Sequence, residues 1–263
     1  MEFRGKSALV VVDPQNDFCD QRGALYVDGA AADIARLARH IARCPGEYDG
    51  IFVSLDSHDV IAAFHPGFWM DAAGRHPAPY TRIARGDVAD GVWRPVLAEH
   101  LAPVCRTFDA MERKNVDFLM VWPVHCVVST WGHQIADPLR EAFRIWREET
   151  GRPVRFVFKG ENPYTDQFSI FEGVDDGWPE TAFNENLFAA LSAYESVTFA
   201  GEALSHCVAE SAASYMERRR GGECGAQAVR LLVDCTSPVE GFDGAVSLER
   251  LSALGVAISR TEG

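Results

Sequence analysis

The chain has 263 residues, 47% hydrophobic and 24% charged, a balance that excludes a disordered chain and suits one α/β domain. Its formal net charge of −13 argues against nucleic acid or an anionic membrane as the main partner, and no apolar run approaches the ~20 residues that span a bilayer. Seven cysteines at irregular spacing suggest no disulfide framework. The opening Met-Glu-Phe-Arg-Gly-Lys has no signal-peptide anatomy, so a cytoplasmic location is expected.

Residues 7–12 form a continuous, valine-rich apolar run, the pattern of a strand buried on both faces. Asp28 and Gly29 introduce an amphipathic helix over 30–42, and a second strand, 50–55, ends at Asp56. Residues 57–95 are irregular and dense in Gly, Pro, His and aromatics, and so long a loop within a compact domain is usually functional. Residues 96–110 add a short helix or hairpin. A helical pattern returns over 130–149, ended by Gly151 and Pro153.

The alternation is then regular: strand 154–158, helix 184–193, strand 196–200, helix 205–219, strand 229–233, helix 245–254 and strand 256–259. Such alternation predicts βαβ units, hence a three-layer α/β/α architecture around a six-stranded parallel sheet. No Gly/Ser or Pro linker divides the chain and no repeat is visible. The expectation is one domain over 1–263, with an elaborated insertion or lid at about 57–118.

Asp13, Lys159 and Cys207 each stand where a predicted strand gives way to a loop. In an open parallel sheet those C-terminal ends share one ligand crevice. Taken singly, Asp13 reads as a turn-capping carboxylate, Lys159 as an exposed lysine and Cys207 as a small core residue. Together, an acid, an amine and a thiol suit nucleophilic catalysis. Cys207 follows Gly201-Glu202-Ala203-Leu204-Ser205-His206 at a helix start, where the helix dipole lowers a thiol pKa and backbone N–H groups can hold an oxyanion.

Asp56-Ser57-His58 at the second strand end, with His125 from Trp122-Pro123-Val124-His125-Cys126, offers three ligands to one cation with positions left open. His65 and His76 are further candidate ligands. For Cys126, burial is the simpler reading.

The segments Val12-Asp13-Pro14-Gln15-Asn16-Asp17-Phe18-Cys19, Asp56-Ser57-His58, Trp122-Pro123-Val124-His125-Cys126-Val127, Phe158-Lys159-Gly160 and Gly201-Glu202-Ala203-Leu204-Ser205-His206-Cys207-Val208 resemble, in order, the signatures of nicotinamidases among the isochorismatase-like cysteine hydrolases. The resemblance implies a catalytic triad of Asp13, Lys159 and Cys207. It also implies an oxyanion hole from the N–H groups of Ala203 and Cys207, and a cis peptide at Glu202–Ala203. A divalent metal, zinc before iron or manganese, would be held by Asp56, His58 and His125, with His65 as a further candidate. Substrate contacts would fall on Phe18, Trp122, Phe168, Glu202 and His206.

The implied reaction is hydrolysis of nicotinamide to nicotinate and ammonia through a thioester, in a homo-oligomer. The alternatives are another small amide, ureido or heteroaromatic, or a non-catalytic ligand-binding relative. Departures from the family pattern are Glu202 at a generally apolar position and Ser205 at a commonly acidic one. Residues 64–69 and 86–117 are longer than expected, and extra residues follow Lys159.

Overall fold

The computed structural model describes residues 5–221 and 227–261; the first four residues and Cys224, which the reading above included, lie outside this range. The strands are β1 (Ser7–Val12), β2 (Gly50–Asp56), β3 (Trp69–Met70), β4 (Arg82–Ile83), β5 (Arg94–Pro95), β6 (Leu119–Met120), β7 (Arg155–Lys159), β8 (Ser196–Gly201), β9 (Ala228–Leu232) and β10 (Ala257–Ser259). The α-helices are α1 (Asn16–Cys19), α2 (Ala30–Arg43), α3 (Arg85–Ala89), α4 (Leu101–Arg113), α5 (Asp137–Thr150), α6 (Glu185–Ser192), α7 (Ala209–Arg220) and α8 (Gly244–Ala253). No described helix is long and apolar enough to cross a membrane.

Six strands form one parallel sheet in the order β10-β9-β8-β1-β2-β7, as the alternation of strands and helices predicts. Every residue of β1 and β2 is buried, which explains why both read as unbroken apolar runs rather than alternating ones. Leu9, Val11, Ile51 and Val53 point to one side, where Ile34, Leu37 and Ile41 of α2 and Leu139, Phe143 and Trp146 of α5 meet them. Ala8, Val10, Phe52, Val197 and Phe199 point to the other, against Leu187 of α6, Ala212 and Tyr215 of α7 and Leu251 of α8. Two-residue side-chain alternation therefore builds two cores, one per face.

The sequence places β2 on one side of β1 and β8 on the other, a switch of winding direction that opens a crevice at the strand ends. Register aligns what lies there: Asp56 stands beside Lys159, and Val12, just before Asp13, beside Gly201. Gly201 has φ 110°, and a Cβ there would lie 2.1 Å from the carbonyl oxygen of Val12. Only glycine lets β8 turn off so close to β1.

Several boundaries differ from the sequence reading. The helix expected over 130–149 begins at Asp137, with Pro138 in its first turn. The preceding segment is occupied otherwise: Ile135 bridges Gln15 and the carbonyl of Gln134 accepts from Asn16. Residues 96–110 resolve into α4, which starts later. Ahead of α7, residues Leu204–Val208 form a wider π-type turn. The segment 57–120 contains two antiparallel ladders, β3 with β5 and β4 with β6. Its Phe64, Phe68, Trp69 and Ile83, with Val104 and Phe108 of α4, join the same apolar cluster as β1 and β2.

Candidate active site

Asp13 follows β1 with φ 42° and has no exposed surface. Its backbone N–H donates to Ser54 Oγ at 3.0 Å, and the Ser54 hydroxyl donates to Asp13 Oδ1 at 2.6 Å. Oδ2 is paired with Lys159 Nζ at 2.9 Å. The Lys159 ammonium also meets Asp56 Oδ1 at 2.9 Å, donates to the Gln167 carbonyl at 2.9 Å and lies 3.6 Å from Cys207 Sγ. One buried cation thus joins two carboxylates and a thiol. Acceptor oxygens of Asp13 and Asp56 and the Cys207 sulfur all lie within 4.8 Å of one another.

Burial alone would depress the Lys159 pKa, but Asp13, Asp56 and Cys207 together hold it well above the ordinary lysine value, so this lysine stays charged. Burial raises Asp13 above the usual carboxylate range, against the opposing pull of Lys159. For Asp56, burial is outweighed by His58, Lys159 and His125, which keep it well below. Burial pushes the Cys207 thiol well above its usual value, with Lys159 opposing. This reverses the lowered thiol expected from a helix start: desolvation outweighs the helix dipole when Cys207 is only 7% exposed. Raised in this way, the Cys207 sulfur favours its protonated form, with an Asp13 oxygen within 4.8 Å.

Ala203 and Cys207 lie on the turn after β8, and the Glu202–Ala203 peptide is cis. The Ala203 carbonyl accepts from the N–H groups of His206 and Val208, which closes the turn.

Asp56, His58 and His125 form a second buried cluster whose ligand atoms lie within 4.8 Å of one another. Nδ1 of His58 is 2.9 Å from the Gly160 carbonyl, and Nδ1 of His125 is 2.8 Å from the Pro123 carbonyl. A carbonyl only accepts, so each Nδ1 carries a proton and each Nε2 is the atom left for a ligand role. Both Nε2 atoms face Asp56 Oδ2, at 3.0 Å and 3.7 Å. Two imidazoles and a carboxylate turned to one point fit a divalent cation.

His65 lies behind this cluster, its Nε2 3.4 Å from His125 Nδ1; burial lowers its pKa to about 3. It is not in the ligand group. His76 bonds the Trp69 carbonyl at 2.6 Å and is likewise outside it. Cys126 is fully buried, and its N–H donates to Asp17 Oδ2 at 2.6 Å.

A small cavity opens between the two clusters, walled by Phe18, Trp122, Phe168 and His206, with Cys207, Asp56 and His125 at its base. His206 packs edge-on against Trp122, ring centroids 5.3 Å apart, and burial lowers its pKa to about 4, leaving it neutral. Glu202, expected to contact substrate, does not line this cavity. Its side chain turns away and is fully buried, with Oε2 accepting from the Ser237 N–H at 3.2 Å. Ala203, the next residue, lines the cavity instead.

Some contributors escaped the sequence reading. Gln15 clamps Asp56 through both backbone groups, each at 2.7 Å, and Ser54 orients Asp13. Asp166 borders the cavity and accepts from Trp122 Nε1 at 3.1 Å. Gln15 lies within a motif quoted above, so proximity to Asp13 was a usable signal. Asp166 carries no such mark, and only the folded loop reveals it.

No protein-family model matches the chain. Among curated proteins, a nicotinamidase of Saccharomyces cerevisiae is 24% identical over 80% of this chain and 81% of its own length. A nicotinamidase/pyrazinamidase of Mycobacterium tuberculosis is 28% identical over 95% and 97%. Among solved structures, the yeast nicotinamidase superposes with a TM-score of 0.66 at 21% identity, covering 96% of this chain and 98% of that one. A Pyrococcus horikoshii pyrazinamidase in complex with zinc gives 0.58 at 20% identity, covering 97% and 99%. The fold is the one these enzymes share, and the resemblance carried by the ordered motifs is borne out.

Proposed function

We propose that the chain is a nicotinamidase of the isochorismatase-like cysteine hydrolases, converting nicotinamide to nicotinate and ammonia through a thioester. It is a hydrolase of carbon–nitrogen amide bonds. The observation that carries the reading is Lys159: one buried ammonium in contact with Asp13, Asp56 and Cys207 couples the nucleophile to the cluster that would hold a metal.

In this reading the Cys207 proton passes to Asp13 as sulfur attacks the amide carbonyl carbon, and Lys159 stabilises the thiolate as it forms. The carbonyl oxygen becomes an oxyanion held by the N–H groups of Ala203 and Cys207. The Ala203 N–H donates to no other described residue, which supports that assignment. Asp13 then returns its proton to the leaving nitrogen, so ammonia departs and a thioester to Cys207 remains. Water, deprotonated by Asp13, attacks the thioester. Collapse releases nicotinic acid and the sulfur, which recovers the proton from Asp13.

Asp56, His58 and His125 would hold a divalent ion, zinc first among zinc, iron and manganese, which supplies a Lewis-acidic anchor for a ring nitrogen. Phe18, Trp122, Phe168 and His206 would enclose the ring. The cytoplasm is the proposed setting, supported by the free thiols of the described cysteines. A homo-oligomer is the proposed assembly, checked by sedimentation.

Ammonia release from nicotinamide and a panel of small amides tests the reading. Turnover of other amides with none of nicotinamide would transfer the site to another substrate. Cys207→Ala is expected to lower turnover by ~10³-fold or more, and acid-quenched wild-type enzyme to carry an acyl group on Cys207. Wild-type turnover in that variant would refute the covalent route. Removing the metal is expected to raise KM by at least about tenfold, and an unchanged KM would remove the ring anchor.

A further inference from the structure

Away from the strand-end crevice, a trough of about 680 Å³ runs between α2 and the β8–β9–β10 side of the sheet. Arg36, Arg39, His40 and Arg43 occupy one stripe of α2, at spacings of three, four and seven residues. The opposite stripe, Ile34, Leu37, Ala38 and Ile41, is buried in the core. Across the trough Arg230 stands in register between Thr198 of β8 and Ala257 of β10, and Arg260 follows the end of β10.

Five arginines therefore face one another across the trough, against two carboxylates, Glu47 and Asp234. Both carboxylates are engaged: Glu47 lies 3.3 Å from His40, and Asp234 accepts from Thr261 at 2.7 Å with Arg36 nearby at 4.0 Å. Arg39, Arg43, Arg230 and Arg260 make no ion pair with any described residue. Elsewhere on this acidic chain arginines find partners readily, as Arg75 does with Asp71, Arg144 with Glu141 and Glu148, and Arg250 with Glu210. Four unneutralised guanidinium groups around one concavity repel each other and raise the local positive potential, which a bound anion would relieve.

We propose that this trough is a binding site for a small anion carrying two or more phosphate groups, either inorganic pyrophosphate or the diphosphate of a nucleotide. Planar guanidinium forks match phosphate oxygens in pairs, which favours phosphate over carboxylate ligands of similar charge. The arginines also stand too far apart for one phosphate. Arg36 to Arg43 spans ~10 Å of helix axis, and Arg230 and Arg260 approach from the facing strands. A ligand engaging both walls must present charge at more than one point.

Calorimetric titration of the full-length, metal-loaded protein with orthophosphate, pyrophosphate and ADP at low salt tests this. Pyrophosphate and ADP are expected to bind saturably at one site, at least about tenfold tighter than orthophosphate. Equal affinities would assign the site to the free diphosphate, and tighter ADP to a nucleotide. Arg39→Ser combined with Arg230→Ser is expected to weaken binding tenfold or more. Nicotinamide hydrolysis and the unliganded unfolding midpoint should stay unchanged, which reports an intact fold. Absence of saturable binding, or binding that the paired substitution leaves intact, as chelation of a metal at Asp56, His58 and His125 would, overturns the proposal.

Discussion

Lys159 and Cys207 touch, yet removing them should have opposite structural consequences. Taking away the Lys159 ammonium strips Asp13 of the cation paired with it and leaves Asp56 only its histidines, both carboxylates being almost fully buried. Losing one partner of a buried ionic group costs about 3–5 kcal/mol, so Lys159→Met is expected to lose both turnover and that much stability in urea unfolding. Cys207→Ala should lose turnover with little change in stability. Equal stability of the two variants would mean that the carboxylates relax into water.

Glu202 gives a second prediction at this scale. Burial pushes its carboxyl well above the usual range, and the charge of Asp33 adds to that; its Oε1 has no hydrogen-bond partner among the described residues. The folded state therefore holds this proton more tightly than the unfolded chain does. Stability from this group is fully present below the unfolded carboxyl pKa and falls as pH rises towards the folded value, by about 1.4 kcal/mol per pH unit. Glu202→Gln keeps an acceptor for the Ser237 N–H and removes the titration. Its advantage over wild type should be absent below about pH 4 and grow as pH rises, measured by urea midpoints across pH. A gap independent of pH would place Glu202 in contact with water.

Among the elements, the turn after β7 is tightly constrained. Gly160 has φ 77°, and a Cβ there would lie 2.5 Å from His58 Cε1 and 2.6 Å from Asp56 Oδ1. The carbonyl that fixes the His58 tautomer belongs to the same residue. Gly160→Ala must displace a ligand or the turn, and disturbing such supporting groups typically costs 10–100-fold in metal affinity. Competition with a chromophoric chelator measures it, and unchanged affinity would show that His58 moves freely. On α5, Trp146 is fully buried and donates from Nε1 to the Tyr48 carbonyl at 3.3 Å. Trp146→Ala should cost about 3–5 kcal/mol without altering KM, because the cavity forms at the other end of the strands.

For the molecule as a whole, the charge distribution is uneven: a net −13 coexists with one trough lined by unpaired arginines. The parallel sheet, its six strands and the convergence of Asp13, Lys159 and Cys207 were legible in the sequence, because apolar runs and strand-end polar residues are local patterns. Asp56 and His58 were equally legible, sharing one strand end, and His125 joined them through its motif. Other features depended on distant segments meeting. Glu202 lies outside the cavity that Ala203 lines, because its carboxyl is held by the N–H of Ser237, 35 residues on. The Cys207 thiol is raised rather than lowered because desolvation is a property of the packed interior, invisible in a helix-start pattern. The α2 arginine stripe is visible in the sequence, but its confrontation with Arg230 and Arg260 exists only once β9 and β10 fold beside β8. Local patterning thus determined the elements and the candidate site residues, while side-chain direction, protonation and the second charged concavity were decided by which surfaces the tertiary structure removed from water.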